Sequence, residues 1–67
     1  MKTKTLHETL HIGAHVRICV GRQAGSHAVV IGYNPDGIVA PWEVRPEGWP
    51  HELPGLMFEA DELEVEE

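Results

Sequence analysis

Cys19 has no second cysteine to pair with anywhere in the 67 residues. A disulfide within the chain is therefore excluded, as is the pair of CxxC knuckles that would hold a structural zinc. A lone thiol suits a reducing compartment. No apolar run approaches the roughly 20 residues of a membrane span, and the opening MKTKTLHETLH has two lysines but no apolar stretch behind them, so neither a span nor a secretory leader is expected. The reading is a soluble, cytoplasmic protein. Serine is scarce, so no Ser-His-Asp set can be assembled, and the glycines do not form a phosphate loop. Glu43, Glu47 and Glu52 fall on a polar strand face and a loop, with no nearby sign of an apolar pocket to raise a carboxyl pKa. An enzyme is not expected, and no catalytic residue, cofactor or metal site is assigned.

Basic residues are also few, five against eleven acidic, for a formal net charge of −6. The excess is local: the acidic groups of the closing segment are Glu59, Asp61, Glu62, Glu64, Glu66 and Glu67, while the preceding body is balanced. Nucleic-acid binding draws most of its affinity from lysines and arginines set against phosphates, so this charge balance disfavours it. The acidic tail reads first as a solubilising terminus, with a docking strip for a basic partner as the alternative.

A chain of 67 residues makes one domain, 1–67, with 1–12 as an arm or extra strand and 59–67 as an acidic closing strand and tail. Such a chain buries only about 60% of the surface its unfolded form exposes, so its core is compact or shared with a partner. Residues 5–11 fit either reading: Thr5 and Glu8 have capping-box spacing, and Leu6, Glu8, Leu10 and Ile12 alternate like a strand. From His15 to Val20 the alternation is cleaner, with Val16, Ile18 and Val20 on one face and His15, Arg17 and Cys19 on the other. Residues 21–26 form a loop in which Gly25 supplies a positive φ. HAVVIGY then places Ala28 and Val30 on one face and Val29, Ile31 and Tyr33 on the other. Both faces are apolar, so one meets the core and the second meets something else.

Asn34-Pro35-Asp36-Gly37 is a turn, with glycine expected in the left-handed fourth position. Ile38, Ala40, Trp42 and Val44 alternate onto one face of the next strand, and Pro41 places that strand at an edge or beside a bulge. Pro46, Pro50 and Pro54 with Gly48 and Gly55 make 45–55 the longest loop. Leu56 to Glu59 is a short strand, Ala60-Asp61-Glu62 a tight turn or one turn of 3₁₀ helix, and Leu63 with Val65 the last strand. Five short strands with such turns close most economically as a β-barrel, which removes most exposed edges.

Several side chains admit a chemical reading. His7 and His11 share a face whether helical or extended and could be half of a metal site, but His15, Cys19, His27 and His51 show no ligand spacing, so surface histidines are the reading taken. Cys19 is read as a small packed residue rather than a reactive thiol. Trp49, in a proline-framed loop, is read as a lid on one open end of the barrel, with a partner anchor as the alternative, and Trp42 is read as core.

Gly13, Val16, Ile18, Gly21, Gly25, Val29, Val30 and Ile31 resemble the KOW motif of SH3-like barrels, and MFEADELEVE resembles the tight turn and final strand that close many such barrels. The two stretches cover about half the chain. Ala28 stands where KOW loops usually end in a further glycine, and the lysines around that loop in ribosomal and transcription proteins are represented here only by Arg22 and Arg17. Accessory subunits of photosystems and of ferredoxin-thioredoxin reductase are similar in the opening strand and the Asp-Glu-Leu closure, and they dock on larger redox proteins. The plasmid-type dihydrofolate reductases are set aside because their Val-Gln-Ile-Tyr signature is replaced by Leu56-Met57-Phe58-Glu59. PWEVRPEGWPHELPG is similar to a strand and loop of small actinobacterial SH3-like proteins, a likeness that implies no activity.

The expectation is an all-β, five-stranded SH3-like barrel with a short N-terminal arm. It would act as a non-catalytic binding or assembly module, either an accessory subunit or a homo-oligomer, contacting its partner through Val29, Ile31, Tyr33 and Trp49. The alternatives are a KOW-like nucleic-acid-associated protein using Arg17, Arg22 and Arg45 with Lys2 and Lys4, and an acidic inhibitor of a basic nucleic-acid enzyme. No contact with a membrane is expected.

Overall fold

The structure, a computed structural model, describes residues 10–66. Readings that fall on Lys2, Lys4, Thr5, Leu6, His7, Glu8 and Glu67 lie outside the described residues. Five strands succeed one another: β1 (His15–Ile18), β2 (His27–Tyr33), β3 (Trp42–Pro46), β4 (Leu56–Phe58) and β5 (Leu63–Val65), with a 3₁₀ turn at Ala60–Glu62. All pairings are antiparallel, and the sheet order is β4-β3-β2-β1-β5. The last strand thus returns to the first, and the sheet curls into a half-barrel.

Period-two alternation builds the core. Val16 and Ile18 of β1, Val30 of β2 and Val44 of β3 are fully buried, and Ala14, Ala28 and Leu63 complete the cluster. Leu10, Trp42, Leu56, Phe58 and Val65, each partly buried, pack against it. Each fully buried aliphatic contributes about 1.5–3 kcal/mol relative to exposure, a large share for a domain of this size.

β1 is shorter than the alternation suggests. Ile18 N–H donates to Ser26 O (2.9 Å) and Gly25 N–H donates to Ile18 O (2.7 Å), which closes the hairpin at Ile18. Gly25 adopts φ +93° there, as expected of its place in the loop. Beyond that pair the chain has left the sheet, so Val20 is exposed rather than sharing the buried face of Val16 and Ile18.

The second departure is a β-bulge. Val30 pairs with Val44, but the next pair is Gly32 with Glu43, so Ile31 is the extra residue. An inserted residue reverses the facing of every residue after it. Tyr33 therefore pairs with Trp42 on the side of the sheet that carries Val44 and is separated from Val29, contrary to the grouping of Val29, Ile31 and Tyr33 on one face.

Residues 38–41 are not strand. Gly37 N–H reaches Asn34 O (3.3 Å) and Asn34 N–H reaches Pro41 O (2.8 Å), so the segment is a clamped loop and Ile38 is fully exposed. Gly37 is not left-handed; a Cβ there would lie 3.3 Å from Asn34 Nδ2, so close approach of the Asn34 side chain is what it accommodates. β3 lies inside the sheet rather than at an edge and runs on to Pro46, which the sequence placed in a loop. Proline is tolerated there because it ends the strand and its carbonyl makes the next bond, accepting the Trp49 N–H (2.9 Å).

Candidate functional site

Two surfaces carry the residues singled out by sequence. The first is the end of the β2–β3 hairpin. Tyr33 and Trp42 stand opposite one another at its base, their ring centroids 4.3 Å apart and tilted by 36°. Trp42 also packs against the core, so the aromatic pair joins the interior to the surface. Beyond it the loop presents Ile38 at 102% and Val39 at 58% of full exposure, next to Tyr33 at 50%. Asp36 is the one charged side chain between Tyr33 and Trp42. The result is an apolar tip on an aromatic footing.

The second surface is the sheet face turned away from the core. Register sets its geometry: His15, Val29 and Arg45 stand side by side across β1, β2 and β3, and Arg17 stands between His27 and Glu64. Arg17 Nη2 donates to Glu64 Oε1, and that carboxylate raises the Arg17 guanidinium above its ordinary pKa. The pair is exposed on both sides, where screening by solvent leaves it little influence on stability. His27 Nδ1 lies 2.7 Å from Glu66 Oε1. Arg45 is different, since its guanidinium makes no ion pair or side-chain hydrogen bond among the described residues and its Nε is sealed from solvent without an acceptor. A shallow depression of about 130 Å³ opens beside it, lined by His15, His27, Ala28, Val29, Arg45 and Glu47.

The sequence-derived site residues are thus dispersed. Val29 and Ile31 are half-buried, Val29 on the depression and Ile31 at the bulge; only Tyr33 belongs to the tip. Trp49 stands apart from both surfaces and does not cap the core. It is half-buried without packing on the core, and its indole N–H donates to Pro54 O (3.0 Å), closing its own loop. Of the arginines, Arg17 and Arg45 share the outer face on either side of β2, whereas Arg22 is exposed in the β1–β2 loop. Cys19 is exposed, with Sγ 3.6 Å from Arg17 O, which overturns the packed reading. Among the described residues no three His, Cys, Asp or Glu side chains stand close enough to hold a metal ion.

Sequence reasoning missed Ile38 and Val39 as surface residues and Glu43 as a structural group. A signal for the first pair existed, since they lie between Pro35 and Pro41 in a segment too short to pair. Glu43 had none: its Oε2 accepts the Gly55 N–H (2.9 Å), a contact made only once the 47–55 loop has returned to β3.

No family model matches the chain, and no curated protein or solved structure matches it either. Among the described residues no helix is long and apolar enough to cross a membrane.

Proposed function

We propose that the chain is a non-catalytic protein-binding module that seats the tip of its β2–β3 hairpin in an apolar pocket of a different protein, as an accessory subunit of the cytoplasm. The observation that carries this reading is the full exposure of Ile38 beside exposed Val39 and Tyr33. A small protein gains by burying such side chains, and here they project from a loop clamped at Asn34 and Pro41 and footed on Trp42. The footing lowers the ordering cost of docking.

Charge argues for a different protein over a second copy. At −6 each, two copies repel, whereas a partner with a neutral or basic rim around its pocket is attracted. Nucleic acid gains no support from the outer face, because Arg17 is already paired with Glu64 and Glu47 and Glu66 stand near Arg45 and His27.

A photo-cross-linking residue placed at Ile38, with Glu52 as the control position, tests the proposal in lysate of the native host. The expected result is one adduct of defined mass from position 38 alone, insensitive to nuclease and competed by excess unlabelled protein. Equal labelling from both positions, no adduct at all, an adduct of twice the chain mass, or one lost on nuclease treatment would each overturn it.

A further inference from the structure

The outer-face depression carries a second, independent inference. Half-buried guanidinium groups are normally matched by a carboxylate or a set of acceptors, because an unmatched charge in a partly dry site is costly. Arg45 has neither among the described residues; its Nε is sealed from water and solutes alike, so a ligand reaches the guanidinium through its Nη1 and Nη2 ends. The register sets His15 and Arg45 on either side of Val29, and His27 adds a second imidazole at the rim. That imidazole already holds a carboxylate, Glu66 Oε1 at 2.7 Å. The depression therefore combines cationic and N–H donor groups around an apolar floor, with a carboxylate of the chain itself bound at its edge.

We propose that this depression binds a short aliphatic monocarboxylate, free or at the end of a side chain, with its oxygens toward Arg45 and its stem over Val29. Three features select that class. The planar guanidinium fork matches a carboxylate's two oxygens. A space of about 130 Å³ takes a carboxylate with a few carbons and little more. Glu47 forms part of the wall, and its charge opposes a second carboxylate or the higher charge of a phosphate.

Butyrate titrated into the ¹⁵N-labelled full chain, at constant ionic strength held with chloride, is the test. Saturable shifts are expected at the Val29 and Arg45 amides and at Arg45 Nε–H, with affinity falling about tenfold or more in Arg45→Gln as a charge-assisted contact is lost. Glu47→Gln, at an exposed position outside the core, is expected to improve succinate binding several-fold while changing butyrate less. It keeps the test informative if Arg45→Gln does not fold. Shifts that never saturate, that are unchanged in Arg45→Gln, that leave succinate unimproved in Glu47→Gln, or that phosphate and oligothymidylate reproduce at equal concentration would overturn the proposal.

Discussion

Replacing Gly55 with alanine is expected to cost the fold about 1–3 kcal/mol, the range for forcing an extra methyl into a packed position. A Cβ at this glycine would stand 2.7 Å from Val44 O, 2.8 Å from Glu43 Cγ and 2.9 Å from Glu43 Oε2. The Glu43 side chain could swing aside. Val44 O could not, because it belongs to the backbone of β3, held between β2 and β4. Moving the loop instead would break the hydrogen bond from Gly55 N–H to Glu43 Oε2. At about 4–8 °C per kcal/mol for a domain of this length, the loss is plain in thermal unfolding. Gly32→Ala makes the comparison, since its Cβ would meet only the Glu43 side chain, nearest at 3.3 Å, and a smaller fall is expected. An unchanged Tm for Gly55→Ala would mean that the loop does not sit on β3.

The other large effect lies in the core. Ile18→Ala removes the largest of the fully buried side chains, at a cost of about 2–5 kcal/mol in lost burial and residual cavity. Stability of about 0.05–0.15 kcal/mol per residue gives a chain this short about 3–10 kcal/mol, so the variant is expected to be largely unfolded or to unfold at much lower urea. A midpoint close to that of the wild type would place Ile18 outside the core.

How much of the fold is legible in the sequence depends on the range of the forces involved. Val16 and Ile18 alternating on β1, the loop of Gly21 and Gly25, the 3₁₀ turn at Ala60–Glu62 and the closing pair Leu63 and Val65 are local patterns, and the structure bears each of them out. They suffice for the all-β class and the curled sheet. Pro41 raises a bulge beside β3 as one alternative, but its position at Ile31 of β2 is not legible, because an extra residue exists only relative to the strand opposite, and it moves Tyr33 away from Val29. Alternation also misleads where it continues past the end of pairing. Val20 and Ile38 each extend a period-two run, yet the hydrogen bonds of Ile18 with Gly25 and Ser26 and of Asn34 with Pro41 end the sheet before Val20 and keep Ile38 outside it.

The same limit applies to the surfaces. The sequence points to apolar residues of β2 as partner contacts, but among the described residues the large hydrophobic that the fold leaves most exposed is Ile38 of the β2–β3 turn, with Ile12, Val39, Tyr33, Leu53 and Val20 exposed to a lesser extent. In the sequence Arg45 is only one of a few cations. What distinguishes it from Arg17 is that β5 brings Glu64 to Arg17, whereas among the described residues nothing comparable reaches Arg45. Both distinctions depend on contacts between segments far apart in the chain.

The role of the hairpin tip is tested most directly by the Ile38→Asp/Val39→Asp protein, used as the unlabelled competitor in cross-linking from position 38, with its urea midpoint measured on the same sample. Both side chains are exposed and outside the core, so the midpoint should match the wild type while the variant fails to compete. A variant that competes as well as the wild type would contradict docking through the tip. A midpoint lowered as far as that of Ile18→Ala would show that these residues support the fold rather than a partner.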